Sequence, residues 1–154
     1  MRKDSQSRLY FAYGSNMDAH QMAKRCAGAR FKSLVILDGF RFMINSRGVA
    51  TAVAVAGASV WGGVWEITAR DEANLDRCEG VALGIYRKER VQVRLASGKG
   101  IEALTYIAAD SRPGSPRPGY LEKILAAATV HGFPPVYLAE LASWKNGEGR
   151  NGVS

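Results

Sequence analysis

Histidine and cysteine are scarce in this chain, with two of each in 154 residues. His20 and His131 supply no ligand cluster, and Cys26 and Cys78 stand far apart, in neither a C-x-x-C pair nor a metal-ligand spacing. That pattern argues against a disulfide framework and a metal centre, and both thiols are expected to be buried and free. Long apolar runs are lacking too. No stretch approaches the ~18 residues a membrane span needs. The opening MRKDSQSR is polar with no apolar segment behind it, so neither a membrane anchor nor a secretory leader is expected and the setting reads as cytoplasmic. There is also no internal repeat and no linker long enough to divide the chain, which points to one domain.

What is present is ordinary for a folded protein. Hydrophobic residues make up 47% and charged residues 23%, far from the balance of a disordered chain. Lysine and arginine total 21 against 14 acidic residues, a net charge of +7 that suits an anionic small molecule or nucleic acid. A solvated basic surface accounts for it more simply. The densest basic run, Arg87, Lys88 and Arg90, is interrupted by Glu89 and continues into alternating Val91, Val93 and Leu95, the pattern of a strand with an exposed face. No aromatic residues interleave with it, which argues against stacking on nucleic-acid bases.

The order of elements follows from periodicity and punctuation. LYFAY (9–13) reads as a buried strand, broken by Gly14. Residues 17–28 read as a helix that Ser15, Asn16 or Asp18 caps and Gly28 ends. FKSLVILDGFRFMINS carries two apolar runs split at Asp38 and Gly39, a turn signal between strands, and Gly57 separates VATAVAV from VWGGVWEI in the same way. Gly62 and Gly63 inside the latter mark a bulge or a close backbone approach. Thr68 and Asp71 form a capping box ahead of a short helix that Gly80 ends. Residues 85–95 and 101–109 form a hairpin, and 113–119 a proline- and glycine-rich loop. Leu121, Ile124, Leu125 and Ala128 place an amphipathic helix from Tyr120 to His131, ended by Gly132, and a shorter helix runs from Pro135 to about Trp144. The expected fold is α+β: a small single domain over 9–144 with a curled, barrel-like, mixed but mostly antiparallel sheet and flanking helices, a polar extension at 1–8 and a flexible tail at 145–154.

Two places carry chemistry. The first is the turn Tyr13-Gly14-Ser15-Asn16, where a strand runs into a helix and leaves backbone N–H groups without internal partners at the positive end of a helix dipole, a ready anion site. Taken by itself the turn reads as an ordinary helix cap. A nucleophilic role for Ser15 has little support, since the surroundings are not the G-x-S-x-G elbow and neither histidine stands in a triad pattern. The second place is Glu79 in LDRCEGVALGIY, at a helix C-terminus whose dipole disfavours the ionised carboxylate. Such a group suits proton transfer near neutral pH; by itself it reads as a surface glutamate.

Together, YFAYGSNM and the downstream LDRCEGVALGIY resemble the γ-glutamylcyclotransferase family. So do the Asn45-Ser46-Arg47-Gly48 turn with Val49, Ala50 and Thr51, the VWGGVWEI strand, the interval from Glu79 to Tyr86, and the Ser115, Pro116, Tyr120 segment, in matching order over about residues 9–144. The resemblance implies a fold built around a curled sheet and conversion of a γ-glutamyl amino acid or γ-glutamyl amine to 5-oxoproline with release of the amine. It implies Glu79 as the catalytic acid and base, and Tyr10, Phe11, Ala12, Tyr13, Gly14, Ser15 and Asn16, with Tyr86 and Tyr120, as the residues holding the γ-glutamyl group. It calls for no metal and no cofactor, only a small γ-glutamyl substrate, with neither nucleic acid nor membrane as partner. The alternative is a non-catalytic module of the same fold that holds a small anion or metabolite.

Overall fold

The uncharged aromatic run becomes strand β1 (Arg8–Ala12), whose last three residues are buried. The computed structural model describes residues 7–145, so most of the expected extension and tail lies outside the described residues. β1 is flanked by β3 (Ala50–Ile67), which pairs with β2 (Arg30–Ile44), then β4 (Tyr86–Arg94) and β5 (Gly100–Ala108), and the sheet closes into a barrel. Neighbours are antiparallel except at the closing seam, where β1 runs parallel to β5 with Tyr10 opposite Leu104. Closure removes free sheet edges, and the mixed barrel with flanking helices is the expected α+β architecture.

The structure corrects the expected breaks at Asp38-Gly39 and Gly57. β2 and β3 run through them as two long strands, and pairing passes from Asp38–Ser59 to Phe40–Ala54, so that residues 55–58 lie opposite Gly39 alone. Gly39 and Gly57 have φ of 84° and 85°, a left-handed conformation that glycine adopts without Cβ strain. The irregularity is a bulge that bends the ribbon rather than a turn that ends it. At Gly62 and Gly63 the close-approach alternative holds. A Cβ on Gly62 would overlap the Ala12 carbonyl oxygen and come 2.6 Å from Cε1 of Phe11, while one on Gly63 would stand 2.5 Å from the Phe31 ring.

The first helix is shorter than expected. Ser15–Met17 forms a 3-10 turn, and α1 covers only Ala19–Arg25, capped by Asp18, whose Oδ2 accepts from the Gln21 N–H at 2.9 Å. α2 (Ala69–Cys78) starts at the expected box, with Thr68 Oγ1 accepting from Asp71 N–H and Asp71 Oδ2 from Thr68 N–H, each at 3.1 Å. Asp71 Oδ1 also accepts from Gly28 N–H at 3.3 Å, tying the end of α1 to the start of α2. Asp71 and Leu75 set the inward stripe of α2, and one further turn brings Glu79 inward. Cys78 beside it is exposed while Cys26 is buried, so the expectation of two buried thiols holds only for Cys26.

α3 (Tyr120–Val130) and α4 (Pro135–Ala142) cover one side of the barrel through Leu121, Ile124, Ala128, Tyr137 and Leu141, with Trp144 fully buried after them. Among the described residues, no helix is long and apolar enough to cross a membrane.

Candidate active site

Asn16 organises the site. Its residue is 4% exposed, and all of its side-chain hydrogen-bonding capacity faces protein. Nδ2 donates to the Tyr10 hydroxyl at 2.9 Å and to Glu79 Oε2 at 3.5 Å, while Oδ1 accepts from Gln21 Nε2 at 2.8 Å and Arg25 Nη1 at 3.0 Å. Its carbonyl accepts from Trp65 Nε1 at 3.1 Å. Gln21 and Arg25 lie four apart on α1 and so share one face. Two donors on Oδ1 fix the amide orientation, and Nδ2 is thereby turned toward Glu79.

Glu79 caps α2, its N–H bonded to the Leu75 carbonyl at 2.8 Å. Its side chain is 16% exposed and lies 3.7 Å from Arg25 Nη1. Burial pushes its carboxyl above the ordinary range, and the charge of Arg25 and the hydrogen bond from Asn16 pull it partly back. The loss of solvation wins, which leaves a carboxylate more basic than usual but still tied to a cation. Replacing Arg25 with Gln removes the largest opposing influence, so the Glu79 midpoint is expected to move to higher pH. A carboxyl ¹³C titration followed by NMR reads this directly, and an unchanged midpoint would remove Arg25 from the account.

The 3-10 turn changes the reason for expecting anion binding at residues 14–16. The dipole of α1 begins beyond Asp18, so it does not sit on the turn. The turn's own geometry supplies the donors: Met17 N–H bonds the Gly14 carbonyl and Asp18 N–H the Ser15 carbonyl, each at 3.1 Å, while the N–H groups of Gly14, Ser15 and Asn16 find no acceptor among the described residues. Ser15 Oγ accepts from Gln21 Nε2 at 2.8 Å. His20 is exposed on α1, and His131 engages the Met17 carbonyl at 3.0 Å and stacks on Phe31, so neither hydrogen-bonds Ser15. A triad at Ser15 has no base.

These groups surround a narrow cavity of about 40 Å³, lined by Tyr10, Tyr13, Gly14, Ser15, Asn16 and Glu79 together with Ala50, Thr105, Tyr106, Tyr86 and Tyr120. The Ala50 backbone holds two of the tyrosines, accepting from the Tyr86 hydroxyl at 2.6 Å and donating to the Tyr120 oxygen at 2.9 Å. Tyr13 donates to the Tyr106 carbonyl at 2.5 Å. Burial raises the phenols of Tyr86 and Tyr120, the latter to about 12, so both remain neutral hydrogen-bonding groups. A larger depression of about 630 Å³ lies where β1 meets β5, but its charged groups are already paired: Arg8 with Glu72, Lys88 with Glu72 and Asp76, Arg90 with Glu102, and Glu89 with Arg87. Polar convergence, and not volume, singles out the smaller cavity.

Of the expected residues, the cavity gathers Glu79, Tyr10, Tyr13, Gly14, Ser15, Asn16, Tyr86 and Tyr120. Phe11 and Ala12 do not line it: both are buried in the core, with the Phe11 ring and the Ala12 carbonyl against Gly62. Sequence reasoning assigned no site role to Gln21, Arg25, Ala50, Thr105 and Tyr106, although Ala50 stands in one of the matching motifs. Gln21 and Arg25 had a readable signal in their spacing, whereas Ala50 contributes only backbone atoms.

A model of the AIG2-like family matches residues 59–141, the half of the chain that contains Glu79, Tyr86 and Tyr120. The chain is 31% identical to a γ-glutamylcyclotransferase from Bos taurus over 99% of its own length and 86% of that protein. It is 32% identical to a γ-glutamylcyclotransferase from Homo sapiens over 90% of its length and 79% of the relative. A solved γ-glutamyl cyclotransferase structure superposes with a TM-score of 0.84 at 31% identity, covering 90% of this chain and 88% of the other.

Proposed function

The chain belongs to the AIG2-like γ-glutamylcyclotransferase family and is an enzyme of that cyclising type, and on this premise we propose that it converts a γ-glutamyl amino acid or γ-glutamyl amine to 5-oxoproline with Glu79 as its catalytic residue. The supporting observation is that a buried, unusually basic carboxyl lines the same cavity as three residues whose N–H groups have no acceptor among the described residues. Those are the two things the reaction needs.

The substrate's α-amine attacks its own γ-carbonyl, but near neutral pH the amine is mostly an ammonium ion and has no lone pair to offer. Glu79 takes that proton. The new C–N bond closes the five-membered ring and negative charge collects on the carbonyl oxygen; Glu79 returns the first proton to the departing nitrogen as its bond breaks, and takes the second from the ring nitrogen, which becomes the lactam N–H, to pass it on to the released amine. The carboxyl is thus general base first and general acid second. Asn16 and Arg25 hold it in place for these transfers.

The N–H groups of Gly14, Ser15 and Asn16 suit a negative oxygen, whether of the α-carboxylate or of the oxyanion. Tyr10, Tyr13, Tyr86 and Tyr120 wall the glutamyl chain so that amine and carbonyl meet. Because the attack is intramolecular, holding that flexible chain folded supplies much of the rate. Ser15 positions ligand and forms no covalent bond to it.

The test is 5-oxoproline release from a panel of γ-glutamyl dipeptides, γ-glutamyl amines and glutathione. Release from at least one is expected. Saturable binding across the panel without product would replace this reading with that of a binding module.

A further inference from the structure

Glu79 stands at the end of α2, so its place in the cavity depends on how the last turn of that helix is held to the barrel. Glu72, Asp76 and Glu79 follow one another at i, i+4 and i+7 and form one stripe. Arg8 of β1 donates to Glu72 Oε1 at 2.8 Å, and Lys88 of β4 donates to Glu72 Oε2 at 2.6 Å and to Asp76 Oδ2 at 3.1 Å. The Lys88 and Asp76 side chains are 35% and 30% exposed. Ion pairs open to water in this way hold a helix only weakly.

Asp76 has a further partner on its inner side. The Tyr106 hydroxyl donates to Asp76 Oδ1 at 2.7 Å, and Tyr106 is a buried residue of β5 that lines the cavity. Its ring stands edge-on to that of Tyr10, with centroids 5.7 Å apart and planes at 69°. The Tyr10 hydroxyl accepts from Asn16 Nδ2, the same nitrogen that donates to Glu79. The contacts therefore close a circuit from Glu79 through Asn16, Tyr10, Tyr106 and Asp76, and back to Glu79 along one turn of α2.

The longest hydrogen bond in that circuit is the one from Asn16 to Glu79, at 3.5 Å. A bond so close to the limit of hydrogen-bonding distance is lost on a small displacement of either partner. Asp76 bears on both partners: it fixes the last turn of α2 directly, and through Tyr106 it backs the ring that packs on Tyr10. A phenol donating to a carboxylate is the strong, charge-assisted type of hydrogen bond. Asp76 is not itself among the residues that line the cavity, so it has no part in the proton transfers. We propose that Asp76 is a positioning residue for the cyclisation, keeping Glu79 at Asn16 through its hydrogen bond with Tyr106. The bearing on cyclisation rests on the γ-glutamyl reading, whereas the positioning itself does not.

Three variants separate the hydrogen bond from the ion pair. Asp76→Ala removes both, Asp76→Asn keeps an oxygen that accepts from Tyr106, and Lys88→Met removes the cation alone. In Asp76→Ala, kcat for 5-oxoproline release is expected to fall about tenfold with KM changed less than about twofold, as loss of one charge-assisted hydrogen bond implies. The Asn16 side-chain amide protons, followed by NMR without substrate, are expected to exchange with water about tenfold faster. Asp76→Asn is expected to recover most of both, and Lys88→Met to lower the melting temperature while kcat and exchange stay at wild-type values. Tyr106→Phe cuts the same bond from the other side, so it is expected to speed exchange as much as Asp76→Ala, with no further increase in the double variant. Unchanged exchange or unchanged kcat in Asp76→Ala overturns the proposal, as does a Lys88→Met that matches Asp76→Ala in both. A wild type that releases no 5-oxoproline, with exchange responding as expected, would overturn the γ-glutamyl reading and leave the positioning of Glu79 standing.

Discussion

Glu79→Gln is expected to yield a folded protein that still binds a γ-glutamyl amino acid but forms 5-oxoproline about 10³-fold more slowly, within the range for loss of a general acid–base group. Glutamine keeps the shape and the capacity to accept from Asn16 Nδ2, so the cavity persists. What it lacks is a site for the ammonium proton. The same substitution is expected to raise the melting temperature near neutral pH. The folded-state pKa of Glu79 lies above its ordinary value because of burial, so the folded protein holds its proton more tightly than the unfolded chain. Stability from this group is fully present below the unfolded value and is lost as pH rises through the folded one. Glutamine does not ionise and avoids that loss. Full turnover by the variant would remove Glu79 from the mechanism; a lower melting temperature would mean that its ion pair with Arg25 outweighs its burial.

The two places where the sequence showed chemistry are joined by the side chain of Asn16, which the sequence placed in the turn but whose contact with Glu79 neither stretch could reveal. The turn was legible because a glycine, a serine and an asparagine interrupt an aromatic strand, and Glu79 because a glycine ends its helix. Their meeting depends on Asn16, whose amide faces Glu79 only because Gln21 and Arg25 occupy its oxygen. Likewise, the breaks at Gly39 and Gly57 were correctly located but misread. A positive-φ glycine serves a turn or a bulge equally well, and which one forms is decided by pairing between β2 and β3, a tertiary interaction with no local signature. Ala50 was hidden for a different reason: it acts through its N–H and carbonyl, which every residue type but proline carries.

Gly62→Ala, outside the cavity, is expected to cost much of the fold's stability. Gly62 and Gly63 both face β1 or β2 across the ladder, yet what each would strike differs. At Gly63 the added methyl meets the far edge of the ring of Phe31, a residue 38% exposed, whose displacement disturbs its contacts with His131 and Trp65 but moves no backbone. At Gly62 it meets the carbonyl oxygen of Ala12, held in place by pairing of Ala12 with Gly63, and the ring of Phe11, which is fully buried. Neither gives way without moving β1. A loss of about 3 kcal/mol is expected, at the upper end for overpacking, or roughly 6–12 °C in Tm at this chain length. Gly63→Ala is expected to cost clearly less, and equal losses would refute the distinction between a fixed carbonyl and a mobile ring. Because β1 leads through Tyr13 directly into Gly14, Ser15 and Asn16, the displacement that relieves Gly62→Ala also shifts the turn. Folded Gly62→Ala at low temperature is therefore expected to turn over more slowly than Gly63→Ala, tying the packing of the barrel seam to the placement of the site.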